Sequence, residues 1–157
     1  MKPNTGITEK NAEGVVSILN TLLADEYILY TKTRNYHWNV TGSSFQELHK
    51  FFESQYNELD EIIDEVAERI RSLGAFSPGA MKTFLETSRL SEEKDFGLKS
   101  TEMLDALLKD HEAIIRSLRS DLVAVADKYS DIGTSDFLTG LMEQHEKMAW
   151  MLRAYLS

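Results

Sequence analysis

Two histidines lie close together in the stretch RNYHWNVTGSSFQELHKFFE, which spans residues 34–53. His37 and His49 are twelve residues apart, on either side of a Thr-Gly-Ser-Ser break, in a chain with only four histidines and no cysteine. Imidazole binds many transition metals, but hard divalent metals such as iron and manganese also take carboxylate oxygen. The pair therefore supplies half of a metal site, or else consists of two ordinary side chains beside a turn.

A dense run of acids follows on the same predicted helix. The segment ELDEIIDEVAE, which ends at Glu68, has six acids in eleven positions. Asp60, Asp64 and Glu68 share one helical face at spacing i, i+4, i+8, and Glu61 and Glu65 share another. Like charges at this spacing cost roughly 0.2–0.5 kcal/mol per pair, so a bound cation is one explanation for them. A solvated acidic face is the other explanation and, for acids taken alone, the more frequent one.

The length of the helix decides how the histidines and the acids can meet. Asp64 lies fifteen residues after His49, which is roughly 22 Å along a straight helix. One metal ion therefore cannot contact both within one subunit. It can do so across a two-fold axis if this helix packs antiparallel against its own copy near residues 56–59. His37 and His49 of one chain would then face Asp64 and Glu68 of the other, and the site would require a dimer.

Long helices must position these residues. Three stretches, 15–41, 43–73 and 98–132, contain neither glycine nor proline. Each has apolar residues at helical spacing, and so does a fourth stretch after Gly133. Four long helices with one longer central connection predict an all-α four-helix bundle, formed by a single domain over residues 1–157.

Boundary signals accompany these helices. Ser44 and Glu47 have the form of a capping box that opens the second helix, and Gly74 is placed to end it. Thr134–Asp136 is predicted to cap the fourth helix. A short extra helix is expected near residues 83–88, in the connection between helices two and three.

Composition excludes several classes of protein. The formal net charge of -9 argues against strong nucleic-acid binding, which needs clustered Lys and Arg. Without cysteine there is neither a disulfide framework nor a thiolate metal site. No apolar run is long enough for a membrane span, and the polar start lacks a secretory signal. We therefore expect a cytoplasmic protein.

The other two histidines favour a structural role. Known di-iron bundles carry Glu-x-x-His motifs on two helices, and this motif is absent here. The residues three positions before the histidines are Arg34, Gln46, Leu108 and Met142. His111 and His145 lie on apolar stripes of the third and fourth helices, with acids beside them. We expect hydrogen-bonded core or interface histidines, and a metal site there only as a fallback.

The signature of one family becomes visible at these residues. The segment NYHWNVTGSSFQELHKFFESQYNELDEIIDEVAERIRSLG resembles the signature of the Dps family, the ferritin-like DNA-binding proteins from starved cells. The ending EKMAWMLRAYL extends the likeness over nearly the whole chain. The resemblance implies a ferroxidase site in which His37 and His49 of one subunit meet Asp64 and Glu68 of its two-fold mate. Glu53 stands where family members often have Asp, so it is a further metal ligand, either direct or through water.

The resemblance also implies an activity and an assembly. A hollow dodecamer built from two-fold dimers would oxidise Fe(II), preferably with hydrogen peroxide, at sites that hold two iron ions each. It would store the ferric mineral inside and protect against oxidative stress. Glu61 and Glu65 are candidates for nucleating the mineral. Two rival functions remain at this point, a nucleoid-associated DNA-binding protein and a metal-independent structural cage.

Several other residues have two interpretations. Trp38 could trap radicals beside the iron, although packing of a large aromatic residue at a helix end is the more common role, and Trp150 poses the same choice. An acidic cluster beside the last turn fits either a three-fold pore or turn and N-cap chemistry. It comprises Asp127, Asp131 and Asp136. The N-terminus offers only Lys2 and Lys10, and the chain stops right after the last helix, so we expect DNA binding to be weak or absent.

Overall fold

The computed structural model describes residues 3–157, so the terminal Lys2 considered above for DNA binding lies outside the described residues. The helices are α1 (Glu9–Asn39), α2 (Phe45–Ser72), α3 (Met81–Thr87), α4 (Ser100–Asp127) and α5 (Ile132–Tyr155). α1 packs mainly against α2, and α4 packs mainly against α5. These two antiparallel hairpins face each other as a four-helix bundle. The predicted all-α class is confirmed, and α3 is the short extra helix expected between helices two and three.

The first helix begins earlier than the sequence predicted. Thr8 caps it by accepting a hydrogen bond from the N–H of Asn11 at 3.3 Å, so α1 starts before Gly14 rather than after it. A Cβ added to Gly14 would lie 2.1 Å from a ring atom of Tyr129. Glycine at this position therefore admits an aromatic ring close to the helix backbone and does not interrupt the helix.

The cap of the last helix was predicted wrongly. α4 ends at Asp127, within the stretch 98–132 that contains neither glycine nor proline. The cap of α5 is Asp131, whose carboxylate accepts the N–H of Thr134 at 2.9 Å, so the predicted cap at Thr134–Asp136 is wrong. An aspartate at an N-cap satisfies a backbone donor that has no partner within the helix.

The second helix has the predicted bounds without the predicted capping box. Ser44 is the residue before α2, but its side chain makes no capping hydrogen bond, so the box with Glu47 does not form. Its backbone (φ −96°, ψ 19°) is turn-like instead of extended. At the other end Gly74 follows the helix at φ 91°, a conformation that glycine adopts readily, and ends α2 as predicted.

A continuous apolar core fills the bundle. Every long helix contributes fully buried side chains, among them Leu22, Leu59, Leu107 and Leu141. Outside the bundle, α3 packs on α1 through the stacked rings of Tyr27 and Phe84. Among the helices of residues 3–157, none combines the length and the apolar content that a membrane span requires.

A buried carboxylate fastens the long connection to the bundle. Asp25 of α1 is almost fully buried and accepts hydrogen bonds from the backbone N–H of Arg89 at 2.6 Å and from its Nε at 2.7 Å. The hydroxyl of Ser88 donates a third, at 2.9 Å. A buried charge needs such partners, so this cluster holds the segment after α3 against α1.

Candidate metal centre

The turn between α1 and α2 brings His37 and His49 into direct contact. Val40 follows α1 with an extended backbone, and Gly42 takes φ 109° between the two helices. His37 then lies in the last turn of α1 and His49 in the second turn of α2. Their rings stack at a centroid distance of 3.8 Å and an angle of 21°. The predicted approach of the two histidines at the same height is therefore present in the subunit.

Each histidine is held by the backbone of the other. Nδ1 of His37 donates to the carbonyl of His49 at 2.7 Å, and Nδ1 of His49 donates to the carbonyl of His37 at 2.8 Å. A carbonyl only accepts hydrogen bonds, so each Nδ1 carries a proton. In a neutral imidazole the proton-free nitrogen is then Nε2, and a second partner of this kind commonly orients histidines that bind metals. Each ring of the pair therefore has its Nε2 lone pair available to a metal.

Aromatic side chains surround the pair. The ring of Tyr56 meets His37 edge-on at 5.2 Å, and Phe45 lies 5.2 Å from His49. The guanidinium of Arg34 lies over the ring of Tyr56 at 4.5 Å. His37 is buried and His49 is half-buried. Together with these aromatic contacts, the burial restricts the orientation of both rings.

Sequence reasoning missed this aromatic support. A usable signal was present, because Tyr30, Arg34 and Trp38 are spaced i, i+4, i+8 on α1. The guanidinium of Arg34 contacts both of these rings as well, at 5.6 Å and 5.2 Å. Trp38 itself is 64% exposed, so the packing role considered for it is not filled within the subunit.

The predicted carboxylate ligands lie elsewhere on the surface. Glu53, Asp64 and Glu68 are all exposed on α2, and none of them takes part in an ion pair within residues 3–157. Asp64 lines a cleft of about 360 Å³ together with Asp60, Glu61 and apolar residues of α1 and α2. In the part of the chain that the structure describes, no three His, Asp or Glu side chains converge to hold a metal ion. The subunit thus assembles the two histidines and leaves the acids apart from them.

The second pair of histidines is in the core, as expected. His111 and His145 are fully buried, and their Nδ1 atoms lie 2.9 Å apart. Nε2 of His145 donates to Oε1 of Glu26 at 2.9 Å. Sequence reasoning missed Glu26, because an acid on the apolar side of α1 cannot be told from a surface acid without the packing.

The structure also shows where the acidic cluster at the last turn and Trp150 lie. Asp131 is buried and caps α5, so turn chemistry accounts for it, whereas Asp127 and Asp136 are exposed beside the turn. Trp150 is 61% exposed and lines an apolar cleft with Phe51 near the end of α5.

Similar proteins are known by sequence. A family model for the ferritin-like domain matches residues 16–157. A low-temperature-induced protein of Nostoc sp. whose function is uncharacterised is 45% identical over 153 residues, covering 98% of this chain and 86% of the relative. DNA protection during starvation protein 2 of Bacillus anthracis is 40% identical over 143 residues, covering 91% and 97% of the two chains.

Solved structures superpose closely on the bundle. The Dps protein of Vibrio cholerae O1, described as a member of a broad superfamily of ferritin-like diiron-carboxylate proteins, gives a TM-score of 0.92 at 31% identity, covering 99% of this chain and 97% of that one. DpsC from Streptomyces coelicolor gives 0.95 at 29% identity, covering 100% and 91%. The fold is therefore that of the ferritin-like proteins. Within that class, the chain belongs to the Dps family.

Proposed function

We propose that this protein is an iron-storage and detoxification protein that oxidises Fe(II), preferably with hydrogen peroxide. The observation that carries the proposal is the histidine pair. Each Nδ1 donates to the backbone carbonyl of the other histidine, and two Nε2 lone pairs remain for a metal. Family membership supports iron as the metal. The alternative function, a metal-independent structural cage, does not explain why two nitrogens that can bind a metal are held in this arrangement.

The site is completed by a second copy of the protein. Hard iron ions require carboxylate oxygen beside imidazole, and no third ligand joins the two histidines within residues 3–157. Asp64 and Glu68 are exposed and form no ion pair within residues 3–157, so they are available to a neighbouring subunit. If α2 packs antiparallel on its copy near residues 56–59, each histidine pair meets the acids of the mate, and one interface holds two equivalent sites.

The donor set suits a two-electron reaction. Two Fe(II) ions at one site supply the two electrons that hydrogen peroxide needs, so that two Fe(II), one peroxide and two protons give two Fe(III) and two waters. Paired electron transfer avoids the hydroxyl radical that a single electron would release. The carboxylates of Asp64 and Glu68 stabilise the Fe(III) product, while the neutral imidazoles of His37 and His49 leave positions open to the oxidant. Glu53 is one helical turn from His49 and acts as a further ligand, directly or through water.

Oxidised iron must then be stored. We propose a hollow cage, a dodecamer as in the family, formed in the cytoplasm from the two-fold dimers by one domain over residues 1–157. Glu61 and Glu65, exposed on the same helix, are the candidates for binding the first ferric ions. The exposed acids Asp127 and Asp136 would line a three-fold pore.

A mixing experiment tests the shared site directly. One variant, His37→Ala/His49→Ala, lacks the imidazoles, and a second, Asp64→Asn/Glu68→Gln, lacks the carboxylates. Each alone is expected to lose rapid iron oxidation. When the two are unfolded together and reassembled, a mixed dimer has one intact site, made of the histidines of one subunit and the acids of the other.

Peroxide-dependent Fe(II) oxidation should therefore reappear in the mixture at about one quarter of the parental rate, because about half of the dimers are mixed and each has one of its two sites. No recovery in mixtures that contain mixed dimers would refute a site shared between subunits. The chain has no cysteine, so Asn57→Cys introduces a single thiol, and a disulfide between two copies of it would report the antiparallel packing of α2.

The proposal includes weak or absent DNA binding. The net charge of -9 opposes the phosphate backbone. In a gel-shift assay we expect no complex at moderate salt. A complex that survived moderate salt would instead support the nucleoid-binding function.

A further inference from the structure

A line of three ionisable side chains crosses the core of the bundle. Glu26 of α1, His145 of α5 and His111 of α4 are each 0% exposed. They are joined in this order by two contacts of 2.9 Å, from carboxylate to imidazole and from imidazole to imidazole. The residues belong to both hairpins, so their contacts connect the α1–α2 hairpin with the α4–α5 hairpin through the interior.

The three groups form a line and not a cage. His145 uses Nε2 toward Glu26 and Nδ1 toward His111, so its two nitrogens point to different partners. No three acid or histidine side chains of the described residues converge on one point. This arrangement does not fit the metal site kept as a fallback for His111 and His145, but it does fit a hydrogen-bonded line of side chains.

The contact between the two imidazoles limits how many protons the two rings can hold. Only one hydrogen fits between two Nδ1 atoms 2.9 Å apart, because two N–H groups facing each other would repel. With Nε2 of His145 donating to Glu26, the pair of rings can therefore hold at most one positive charge. Two exposed histidines would each take up a proton below their usual pKa of about 6.5. The folded pair can therefore bind one proton fewer than the same two histidines in the unfolded protein.

Two polar atoms of these three side chains have no hydrogen-bond partner among the described residues. They are Nε2 of His111 and Oε2 of Glu26, and both are buried. The amide nitrogen of Gln55 on α2 donates to the carbonyl of Met148, one turn beyond His145 on α5, and its Oε1 is buried without a partner among the described residues. Burial lowers the pKa of His111 well below its usual range, and the neighbouring His145 lowers it further.

Charged residues close in sequence to these three side chains are engaged with other partners. Ion pairs occupy Asp25 with Arg89, Lys32 with Asp110, Glu112 with Arg153, and Glu146 with Arg119. These neighbours on α1, α4 and α5 thus have counter-charges of their own, and Glu26 accepts its hydrogen bond from Nε2 of His145.

We infer that Glu26, His145 and His111 form an acid-sensitive latch, the core latch, that holds the two hairpins together at neutral pH and weakens as the pH falls. Above about pH 6.5 both the folded and the unfolded protein leave His111 neutral, so the latch is intact. Below it the unfolded protein binds a proton that the folded core cannot take up, so unfolding becomes progressively more favourable. The latch does not depend on the proposed iron chemistry.

The test isolates the two buried histidines. In a His37→Gln/His49→Gln background they are the only imidazoles left. The equilibrium constant for unfolding is measured in urea at fixed protein concentration, with and without His111→Gln in this background. Between pH 6 and pH 5, the constant of the protein that keeps His111 should rise about tenfold more per pH unit than that of the His111→Gln variant. One proton that the folded protein cannot bind contributes one such factor. Gln can still donate to Nδ1 of His145 but cannot be protonated. The carboxyl groups of Asp110 and Asp121, whose pKa is raised by burial, are common to both proteins and cancel. Equal pH dependence in the two proteins would refute the latch.

A second measurement avoids any dependence on the folding of the His111 variant. With ¹³C-labelled histidine in the double-Gln background, the ring signals report protonation of the folded protein between pH 7.5 and pH 5. The core latch predicts uptake of no more than one proton by the two rings together. Uptake of two protons by the folded protein would overturn the inference.

Discussion

The molecule contains two pairs of touching histidines that differ in what holds them. His37 and His49 each donate Nδ1–H to a backbone carbonyl at a helix-helix turn, so Nε2 is the ring nitrogen that can offer a lone pair to a metal. His111 and His145 instead share one hydrogen between their Nδ1 atoms inside the core, and the second ring donates to Glu26. The two pairs thus differ in their hydrogen-bond partners. Those of His37 and His49 suit metal binding, and those of His111 and His145 suit holding helices together.

The largest expected effect is on stability in the core pair. Glu26→Ala removes the acceptor of His145 and leaves a buried imidazole without its carboxylate. Breaking a buried charged contact in this way costs about 3–5 kcal/mol, measured as the change in the free energy of unfolding in urea. The exposed pair Arg153 and Glu112 provides the control. Glu112→Ala should cost at most about 1 kcal/mol, and a Glu26→Ala cost no larger than this would show that the core pair is not structural.

The next effect is on chemistry in the turn pair. His49→Ala should slow peroxide-dependent Fe(II) oxidation about 100-fold, equivalent to about 2.7 kcal/mol, because one ligand and the orientation of the other are both lost. Stopped-flow absorbance of the ferric product measures the rate. His111→Gln should oxidise iron at nearly the parental rate at pH 7.5. A similar loss of oxidation rate in both variants would show that the two histidine pairs do not differ in function.

A smaller effect distinguishes the ways in which Glu53 can act. Glu53→Gln should slow iron oxidation about tenfold if the carboxylate binds or positions a metal ion. Glu53→Asp keeps the carboxylate on a side chain one methylene shorter and should stay close to the parental rate. Equal rates for all three proteins would remove Glu53 from the site.

Sequence reasoning predicted the parts of the molecule that have periodic or local signals. The four long helices follow from apolar spacing, and the approach of His37 to His49 follows from a short break between two helices. Boundaries set by tertiary contacts were missed. α1 continues through Gly14 because the ring of Tyr129 packs there, and only the folded protein shows that contact.

The candidate site could be predicted only in part, for a related reason. Residue types and spacing identified the histidines, but the reciprocal carbonyl contacts and the position of Arg34 over Tyr56 depend on helix packing. Glu26 shows the same limit, since its acid side chain has no feature in the sequence that separates it from the exposed acids of α2. The meeting of the histidines with Asp64 and Glu68 is still a prediction, because it involves a second subunit.

The hydrogen bond from His49 to the carbonyl of His37 has a consequence for the end of α1. The last four carbonyls of a helix have no partner within it, and α1 ends at Asn39, so the carbonyl of His37 is one of them. The imidazole of His49 therefore caps the carboxyl end of α1 from the next helix. The side chain that we propose as an iron ligand thus also prevents fraying of the helix that carries the other proposed ligand, His37. Replacing it should loosen the last turn of α1 even when no iron is present.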